Sequence, residues 1–164
     1  MTIQIKKLQT KDWKIWKELR LEALKFSPDT FGSSYADTLL WSDEKCQKML
    51  TDHDLFGAFM KDTLIGISGF FIYEPEKMKH RGCLFGLYIR ETHRNKGAAN
   101  LLVKQIITQA SGKVIQLHCT VTTDNAAAIK LYQKHGFEIY GTEPRSLKVE
   151  NRFHDEHFMV LKFD

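Results

Sequence analysis

The sequence predicts a single domain of the α+β class, in which a central mixed sheet carries helices on both faces. A length of 164 residues fits one domain with its own core, and we expect it to cover residues 1–164. Segments with strand-like and helix-like apolar spacing follow each other along the chain. Several strands come in succession before strand and helix alternate, which favours a mostly antiparallel mixed sheet with about four flanking helices.

The N-terminal region predicts a strand followed by a helix and a loop. Apolar residues separated by polar ones in residues 3–8 indicate a short strand. Apolar residues then recur every three or four positions in residues 13–26, which is typical of an amphipathic helix, and Asp12 can cap its first turn. Residues 27–38, SPDTFGSSYADT, combine Pro, Gly and Ser and therefore predict a loop.

The central region predicts a short helix and then three strands. Ser42 can cap a helix that continues to Leu50. The next segments have strand composition and are separated by short polar turns; they are LFGAFM at 55–60, LIGISGFFIY at 64–73 and CLFGLYI at 83–89. Because glycine weakens a strand interior, the glycines in these segments predict bulges or a close approach of backbones.

The C-terminal region predicts two strand-helix units and a closing pair of strands. A helix is expected from about Gly97 to Ala110, and a strand, KVIQLHCTV, follows it. Asp124 or Asn125 can cap the next helix, which Gly136 ends. The last strands are expected in FEIYGTE and FHDEHFMVLKF.

Composition and charge exclude several classes of protein. No segment is apolar for long enough to cross a bilayer, and the N-terminus lacks the continuous apolar stretch of a signal peptide, so we expect a cytoplasmic protein without membrane contact. Three widely separated cysteines fit reduced thiols. The net charge of +4 is mild and its basic residues are spread along the chain, so it gives no indication of nucleic-acid binding, and we expect no nucleic-acid partner. His154 and His157 would face opposite sides of a strand, so no metal site is expected.

One motif lies in ETHRNKGAANLLVKQII, residues 91–107, where a polar cluster changes into an amphipathic helix. The first turn of a helix leaves backbone N–H groups free and carries a partial positive charge, so it attracts phosphate. Gly97 would keep a side chain out of the way of a ligand, and Arg94 and Lys96 would add positive charge. Neither GxGxxG nor a P-loop is present, so a different kind of phosphate-binding loop is indicated.

A second motif lies in DNAAAIKLYQKHGFEIYG, residues 124–141. On a helix, Asn125, Ala128 and Tyr132 are three and four positions apart and therefore share one face. That face offers an amide, a small residue beside which a ligand can lie, and a phenol. Taken alone, a tyrosine on an amphipathic helix is more often a core or rim residue than a functional one.

Together the two motifs resemble the GNAT acyltransferase superfamily, and stretches near both ends of the chain resemble its stand-alone bacterial members. The pyrophosphate loop of that family reads Arg or Gln, any two residues, Gly, any residue, then Gly or Ala. Arg94, Gly97 and Ala99 match that loop. The later family pattern is met by Asn125, Ala128, Leu131-Tyr132 and Gly136-Phe137.

The resemblance implies the GNAT acyl-CoA N-acyltransferase fold and transfer of an acetyl group from acetyl-CoA to a primary amine through a ternary complex. It implies a coenzyme A site built from two strand and helix segments: Leu87, Tyr88, Ile89, Arg94, Asn95, Lys96, Gly97, Ala98, Ala99, Asn125 and Ala128. Backbone N–H groups of the strand ending at Ile89 would bind the pantetheine arm and the developing oxyanion. Tyr132 would be the catalytic acid that protonates the departing thiolate.

The resemblance leaves the acceptor and the general base open. It suggests an acceptor site that includes Phe31, Ser33, Ser34 and Tyr35. Many relatives carry a glutamate on the strand that here contains Gly86, and CLFGLYI has none. The candidate bases are therefore ordered water or one of several side chains, namely Glu22, Asp37, Glu74, Glu76 and His80.

Two other functions remain open at this point: a non-catalytic acyl-CoA sensor on the same fold, and an unrelated α/β binding domain. The acceptor could be a polyamine, an amino acid, an antibiotic amine or a protein amine. The protein is expected to be a monomer or a homodimer.

Overall fold

The computed structural model of the protein describes residues 2–164 and contains a seven-stranded sheet. The strands are β1 Ile3–Lys7, β2 Asp54–Met60, β3 Thr63–Ile72, β4 Arg81–Ile89, β5 Gln116–Thr122, β6 Glu138–Val149 and β7 Arg152–Lys162. The helices are α1 Trp13–Phe26, α2 Tyr35–Leu39, α3 Asp43–Asp52, α4 Ala98–Ser111 and α5 Ala126–Lys134. The strand order is β1-β2-β3-β4-β5-β7-β6. This architecture confirms the predicted mixed α+β class.

Each face of the sheet has its own core. Leu102 and Ile106 of α4 lie in a cluster with Leu84 of β4, and this cluster also includes Phe137 after α5. On the opposite face, Trp16 of α1 belongs to a second cluster that contains residues of α3 and Tyr88 of β4. Because successive side chains of a strand point to opposite faces, β4 contributes to both cores.

Helix starts follow the sequence prediction, although only two of three predicted caps form the cap hydrogen bond. The Ser42 hydroxyl accepts a hydrogen bond from the Lys45 amide at the start of α3, as predicted. Asn125 rather than Asp124 caps α5. Asp12 occupies the predicted N-cap position of α1 but makes no side-chain cap hydrogen bond there, because its carboxylate accepts a hydrogen bond from the Gln9 amide at 2.7 Å in the preceding turn.

The predicted loop of residues 27–38 contains a short helix. Ser34 accepts a hydrogen bond from the Asp37 amide at 3.1 Å, and the five-residue helix α2 begins directly after it. The prediction of an uninterrupted loop was therefore wrong in its second half. A serine in a Ser-rich stretch can serve either as a turn residue or as a helix cap, and here it caps a helix.

β4 and β5 separate from each other soon after they begin. They form the parallel pair of the sheet, and their registered residues are only Arg81–Cys83 with Gln116–His118. All other neighbouring strands are antiparallel. From residue 84 onward β4 keeps its partner β3 on one side, while its other edge borders the gap that opens toward β5.

Along this free edge the β4 backbone presents hydrogen-bond donors. The Arg90 amide donates to the Ile65 carbonyl oxygen of β3 at 2.8 Å. Because alternate amides of a strand point in opposite directions, the amides of Leu87 and Ile89 point away from β3 and into the gap. The register of β3 against β4 also shifts here, and Gly86 has a positive φ of 67°, as expected from a glycine in a strand.

No helix in residues 2–164 is long and apolar enough to span a membrane. The same residues contain no group of three or more His, Cys, Asp or Glu side chains that could hold a metal ion.

Substitution of Gly82 should destabilise the sheet just before β4 and β5 separate. A Cβ atom at Gly82 would collide with the Phe70 ring and lie 2.9 Å from the Phe71 carbonyl oxygen. We expect Gly82→Ala to lower the free energy of unfolding by about 1–3 kcal/mol, measured by urea denaturation. Gly112→Ala is the matched control, because a Cβ there meets no atom within 4 Å. Equal stability of the two variants would contradict the crowding at Gly82.

Candidate functional site

A cavity of about 600 Å³ occupies the gap between β4 and β5. Ten of the eleven residues predicted to bind the cofactor line it: Leu87, Tyr88, Ile89, Arg94, Asn95, Gly97, Ala98, Ala99, Asn125 and Ala128. Lys96 is the exception, since it is exposed and does not contribute to the wall. The structure therefore brings together two sequence motifs that lie about 30 residues apart in the chain.

The start of α4 forms one end of the cavity. Gly97 has a φ of 89° and Asn95 a φ of 60°, so the backbone turns sharply before the helix. The Gly97 carbonyl oxygen accepts the first helical hydrogen bond, from the Leu101 amide at 3.1 Å. The amides between them have no acceptor within the helix. A Cβ atom at Gly97 would meet nothing within 4 Å, so the space over these amides is open.

Arg94 connects this loop to the end of β4. Its Nε donates a hydrogen bond to the Ile89 carbonyl oxygen at 3.1 Å, and its guanidinium carbon lies 5.6 Å from the centre of the Tyr88 ring. These contacts hold a positive charge on the cavity wall beside the free amides of α4. An anion bound there would gain both charge-assisted hydrogen bonds and the favourable dipole of the helix.

The opposite wall comes from the end of β5 and the start of α5. The side-chain oxygen Oδ1 of Asn125 accepts a hydrogen bond from the Ala128 amide at 3.2 Å. Its side-chain NH₂ is therefore the group left to meet a ligand. Ala127 and Ala128 present only methyl groups to the cavity, which leaves room for a chain to pass along α5.

Tyr132 does not stand on the wall of this cavity. Its side chain is 5% exposed and its ring packs 5.5 Å from the Phe137 ring, within the core beneath α4 and α5. Leu131, the preceding residue, lines the cavity instead. Burial raises the pKa of the Tyr132 phenol, so the group stays protonated well above neutral pH. Its role as a catalytic acid stays a prediction.

The predicted acceptor residues do not line the cavity either. Ser33 and Ser34 are exposed, and Ser34 uses its hydroxyl to cap α2. Tyr35 is 38% exposed at the start of the same helix. Phe31 is partly buried and packs against the second core, where the Arg20 guanidinium lies over its ring. These residues lie away from the cavity because their segment leads into and begins the short helix α2, where their side chains cap the helix or pack against the core.

The neighbouring residues Ser27, Asp29 and Thr30 do line the cavity. They follow the end of α1, and the turn at Pro28–Thr30 contacts β5 and β6. Asp29 was missed from the sequence because an aspartate after proline is common in any turn.

The candidate bases from the sequence are dispersed. Glu74, Glu76, His80 and Asp37 are exposed, and Glu76 pairs with Lys79 at 2.7 Å. Glu22 alone among them reaches the region of β4, where its buried Oε2 lies 3.6 Å from Arg90 Nε. Burial, together with the nearby Glu22 carboxylate, raises the pKa of the Tyr88 phenol.

Two carboxylates that were not singled out as bases do line the cavity, namely Asp29 and Asp124. Asp124 Oδ2 lies 3.6 Å from Nδ1 of His154, whose side chain is only 7% exposed. These groups could accept a proton or attract a cation at the end of the cavity formed by α5 and the turn after α1.

Several known proteins are similar in sequence to part of this chain. An L-amino acid N-acetyltransferase of Escherichia coli is 34% identical over 78 residues, which cover 46% of this chain and 48% of that protein. An L-methionine sulfoximine/L-methionine sulfone acetyltransferase of Pseudomonas aeruginosa is 32% identical over 79 residues, 48% of this chain and 46% of that protein. The chain thus spans about half the length of the curated relatives it matches.

Solved structures match along almost the whole chain. An acetyltransferase of the GNAT family from Streptococcus pneumoniae has a TM-score of 0.88 at 27% identity, covering 99% of this chain and 100% of that one. The yncA structure from Salmonella typhimurium, solved with its cofactor acetyl-CoA, has a TM-score of 0.82 at 18% identity, covering 100% of this chain and 95% of that one. The model of the acetyltransferase (GNAT) family matches residues 14–137. The chain therefore belongs to the acetyltransferase (GNAT) family.

Proposed function

We propose that the protein transfers an acetyl group from acetyl-CoA to a primary amine by direct attack, with both substrates bound at once. The observation that carries this proposal is the continuous cavity between the start of α4 and the free edge of β4. At the start of α4, free backbone amides and Arg94 can bind a diphosphate. Along the free edge of β4, backbone amides can bind an extended arm that contains amide groups, as they would bind another strand. Coenzyme A carries these two chemical groups in that order.

The residues present fit this cosubstrate. The amides that follow Gly97 would bind the diphosphate, and the open space above Gly97 leaves room for it. The outward amides of Leu87 and Ile89 would pair with the pantetheine arm in the way another strand would. Asn125 would add its side-chain NH₂ from the opposite wall. Acetyl-CoA would supply the acyl group as a thioester, which an amine can attack.

Three tasks then fall to the protein. A protonated amine has no lone pair, so a carboxylate or water must first accept its proton, and Asp29 and Asp124 are carboxylates of the cavity. A β4 amide would donate a hydrogen bond to the thioester oxygen while the amine nitrogen forms its bond to the carbonyl carbon. The carbon–sulfur bond would then break, the nitrogen would lose its second proton to the same carboxylate or to water, and we assign Tyr132 the donation of a proton to the sulfur.

The acceptor is a primary amine of a small molecule or a protein. The names of the curated relatives include L-amino acids and L-methionine sulfoximine as substrates of those proteins, so free amino acids are the first acceptors to test. We further propose a cytoplasmic location, supported by the free thiols of Cys46, Cys83 and Cys119, and either a monomer or a homodimer.

A non-catalytic acyl-CoA sensor is the alternative, and two observations favour it. Tyr132 lies in the core rather than on the cavity wall, and β4 carries no carboxylate side chain. A sensor would bind acetyl-CoA with the same loop and release it unchanged. Measurement of coenzyme A release with a panel of primary amines separates the two functions.

Substitution at Gly97 should weaken coenzyme A binding. A Cβ atom there would occupy space that is open at the start of α4, and a left-handed backbone disfavours any side chain by about 1–2 kcal/mol. We expect Gly97→Ala to reduce coenzyme A affinity about tenfold or more in isothermal titration calorimetry.

Gly136→Ala is the matched control for that backbone strain. Gly136 has a φ of 94° but lies outside the cavity wall. It should lose stability in the same way while coenzyme A affinity stays at the parent value. If both variants bind coenzyme A like the parent protein, the loop before α4 is not the diphosphate site.

Removal of the Tyr132 hydroxyl should affect turnover and not binding. We expect Tyr132→Phe to lower kcat by about 10²–10⁴, which is the range of a well-placed general acid, and to keep the affinity for coenzyme A. Tyr140→Phe is the control, because its hydroxyl contacts His118 at 3.2 Å on the exposed edge strand β6. Steady-state rates with the best amine of the panel provide the measurement. Parent-like turnover of Tyr132→Phe would remove the assigned role.

A further inference from the structure

Asn100 lines the large cavity in the first turn of α4, directly after Ala99 of the predicted phosphate-binding loop. Its side-chain oxygen Oδ1 lies 2.8 Å from Nε2 of His135, the residue that follows the last turn of α5. An amide oxygen only accepts hydrogen bonds, so Nε2 of His135 is the donor. The side-chain NH₂ of Asn100 is therefore left for another partner at the cavity wall.

Two lysines place positive charge around this hydrogen bond. Lys104 follows Asn100 by four residues on α4, so the two side chains are neighbours on one face of the helix. Lys134 directly precedes His135 in the chain. Burial lowers the pKa of the His135 imidazole, and the charges of Lys134 and Lys104 lower it further. The imidazole is therefore mostly neutral at neutral pH, in surroundings of positive electrostatic potential.

Both lysines can meet an anion from solvent. Lys104 and Lys134 are exposed, and neither takes part in the ion pairs found within residues 2–164. In an α-helix the Cα–Cβ bonds tilt toward the N-terminus, so the Lys104 side chain leans toward Asn100 and the start of α4. Two cations and an amide donor thus lie next to the cavity wall, and a single anion could accept hydrogen bonds from all three.

The same helix start is the proposed diphosphate site, and coenzyme A carries a further phosphate close to its diphosphate. This phosphate is a monoester on the ribose 3′ oxygen. Lys104 lies one helical turn, about 5.4 Å along the axis, beyond Asn100. A ribose holds its 5′ and 3′ phosphate groups apart by a similar length. A diphosphate on the amides that follow Gly97 would therefore leave the 3′-phosphate within reach of Asn100 and Lys104.

We propose that Asn100, Lys104 and Lys134 form a site for the 3′-phosphate of coenzyme A, and that His135 is a positioning residue that orients the Asn100 amide toward it. This inference rests on the coenzyme A binding that the proposed function requires. A phosphomonoester carries about −1.5 to −2 charge at neutral pH and has three strong acceptor oxygens. It therefore matches one NH₂ group and two ammonium groups, whereas the free ribose hydroxyl of dephospho-coenzyme A brings no charge.

Ordinary surface charge gives a different expectation. In that case Lys104 and Lys134 would only be solvated, and His135 would only join α5 to α4 through its hydrogen bond. Coenzyme A and dephospho-coenzyme A would then bind equally well, and replacement of His135 would change stability without changing the choice between them. The ratio of the two affinities separates these roles, because the ligands differ only in the 3′-phosphate.

The experiment measures that ratio by isothermal titration calorimetry. We expect the parent protein to bind coenzyme A about tenfold more tightly than dephospho-coenzyme A, because the phosphate gains charge-assisted hydrogen bonds at a solvent-exposed site. Lys104→Gln and Lys134→Gln should each lower the ratio, and the double variant should bring it to within about twofold of unity. Lys162→Gln is the matched control, since this exposed lysine pairs with Gln116 at the opposite end of β5 from the cavity, and it should keep the parent ratio.

Two further positions test the role of the Asn100 amide. His135→Leu removes the donor that orients it and should lower the ratio about threefold, whereas His135→Gln, whose amide can still donate, should restore most of the preference. Asn100→Asp keeps the oxygen that accepts from His135 but places a negative charge at the site, so it should weaken coenzyme A more than dephospho-coenzyme A. An Asn100 that contacts only the diphosphate would instead weaken both ligands by the same factor.

The outcomes separate this site from the proposed function. Equal affinities of the two ligands for the parent, or a parent-like ratio in the double lysine variant, overturn the 3′-phosphate site while coenzyme A binding itself stands. A parent-like ratio in His135→Leu, or an equal loss of both affinities in Asn100→Asp, overturns the role of the Asn100 amide. Binding of neither ligand to the parent overturns the proposed acetyl transfer together with this site. Tight and selective binding of coenzyme A without turnover of any amine counts against acetyl transfer alone.

Discussion

The site depends on the early separation of two parallel strands. Because β4 and β5 run in the same direction, their carboxyl ends and the helices that follow both lie at one edge of the sheet. Three paired residues on each strand hold the base of the gap, and beyond them the strands diverge. The starts of α4 and α5 then face the same space, so that two helix dipoles and a free strand edge converge on one cavity.

Much of the cavity wall at the starts of α4 and α5 could be predicted from the sequence because its requirements are local. A backbone with positive φ at a helix start favours glycine. Gly97, which has such a φ, can be recognised from the sequence as the residue for this position without any knowledge of the fold. Ser42 and Asn125 were recognised as caps for the same reason, since a cap acts on an amide three residues away.

The wall at the turn after α1, where we propose that the acceptor binds, could not be predicted in the same way. It depends on where that turn meets β5 and β6, which is a contact between segments about 90 residues apart or more. The sequence placed Phe31, Ser34 and Tyr35 there, yet Ser34 serves as a helix cap and Phe31 packs on Arg20. Nothing in the α1 pattern distinguishes Arg20 from an ordinary surface arginine, because its contact with the backbone at Gly86 joins residues far apart in the chain.

If the protein catalyses the proposed acetyl transfer, the free edge of β4 has a consequence for the order in which the substrates bind. If the pantetheine arm completes the sheet there, it also forms part of the floor on which the second substrate rests. An amine that arrives before this arm would find water between the strands and only a fraction of its contacts. Productive encounters would therefore follow a compulsory order, with the nucleotide thioester first and the amine second, and the departing acetylated product would uncover coenzyme A for release.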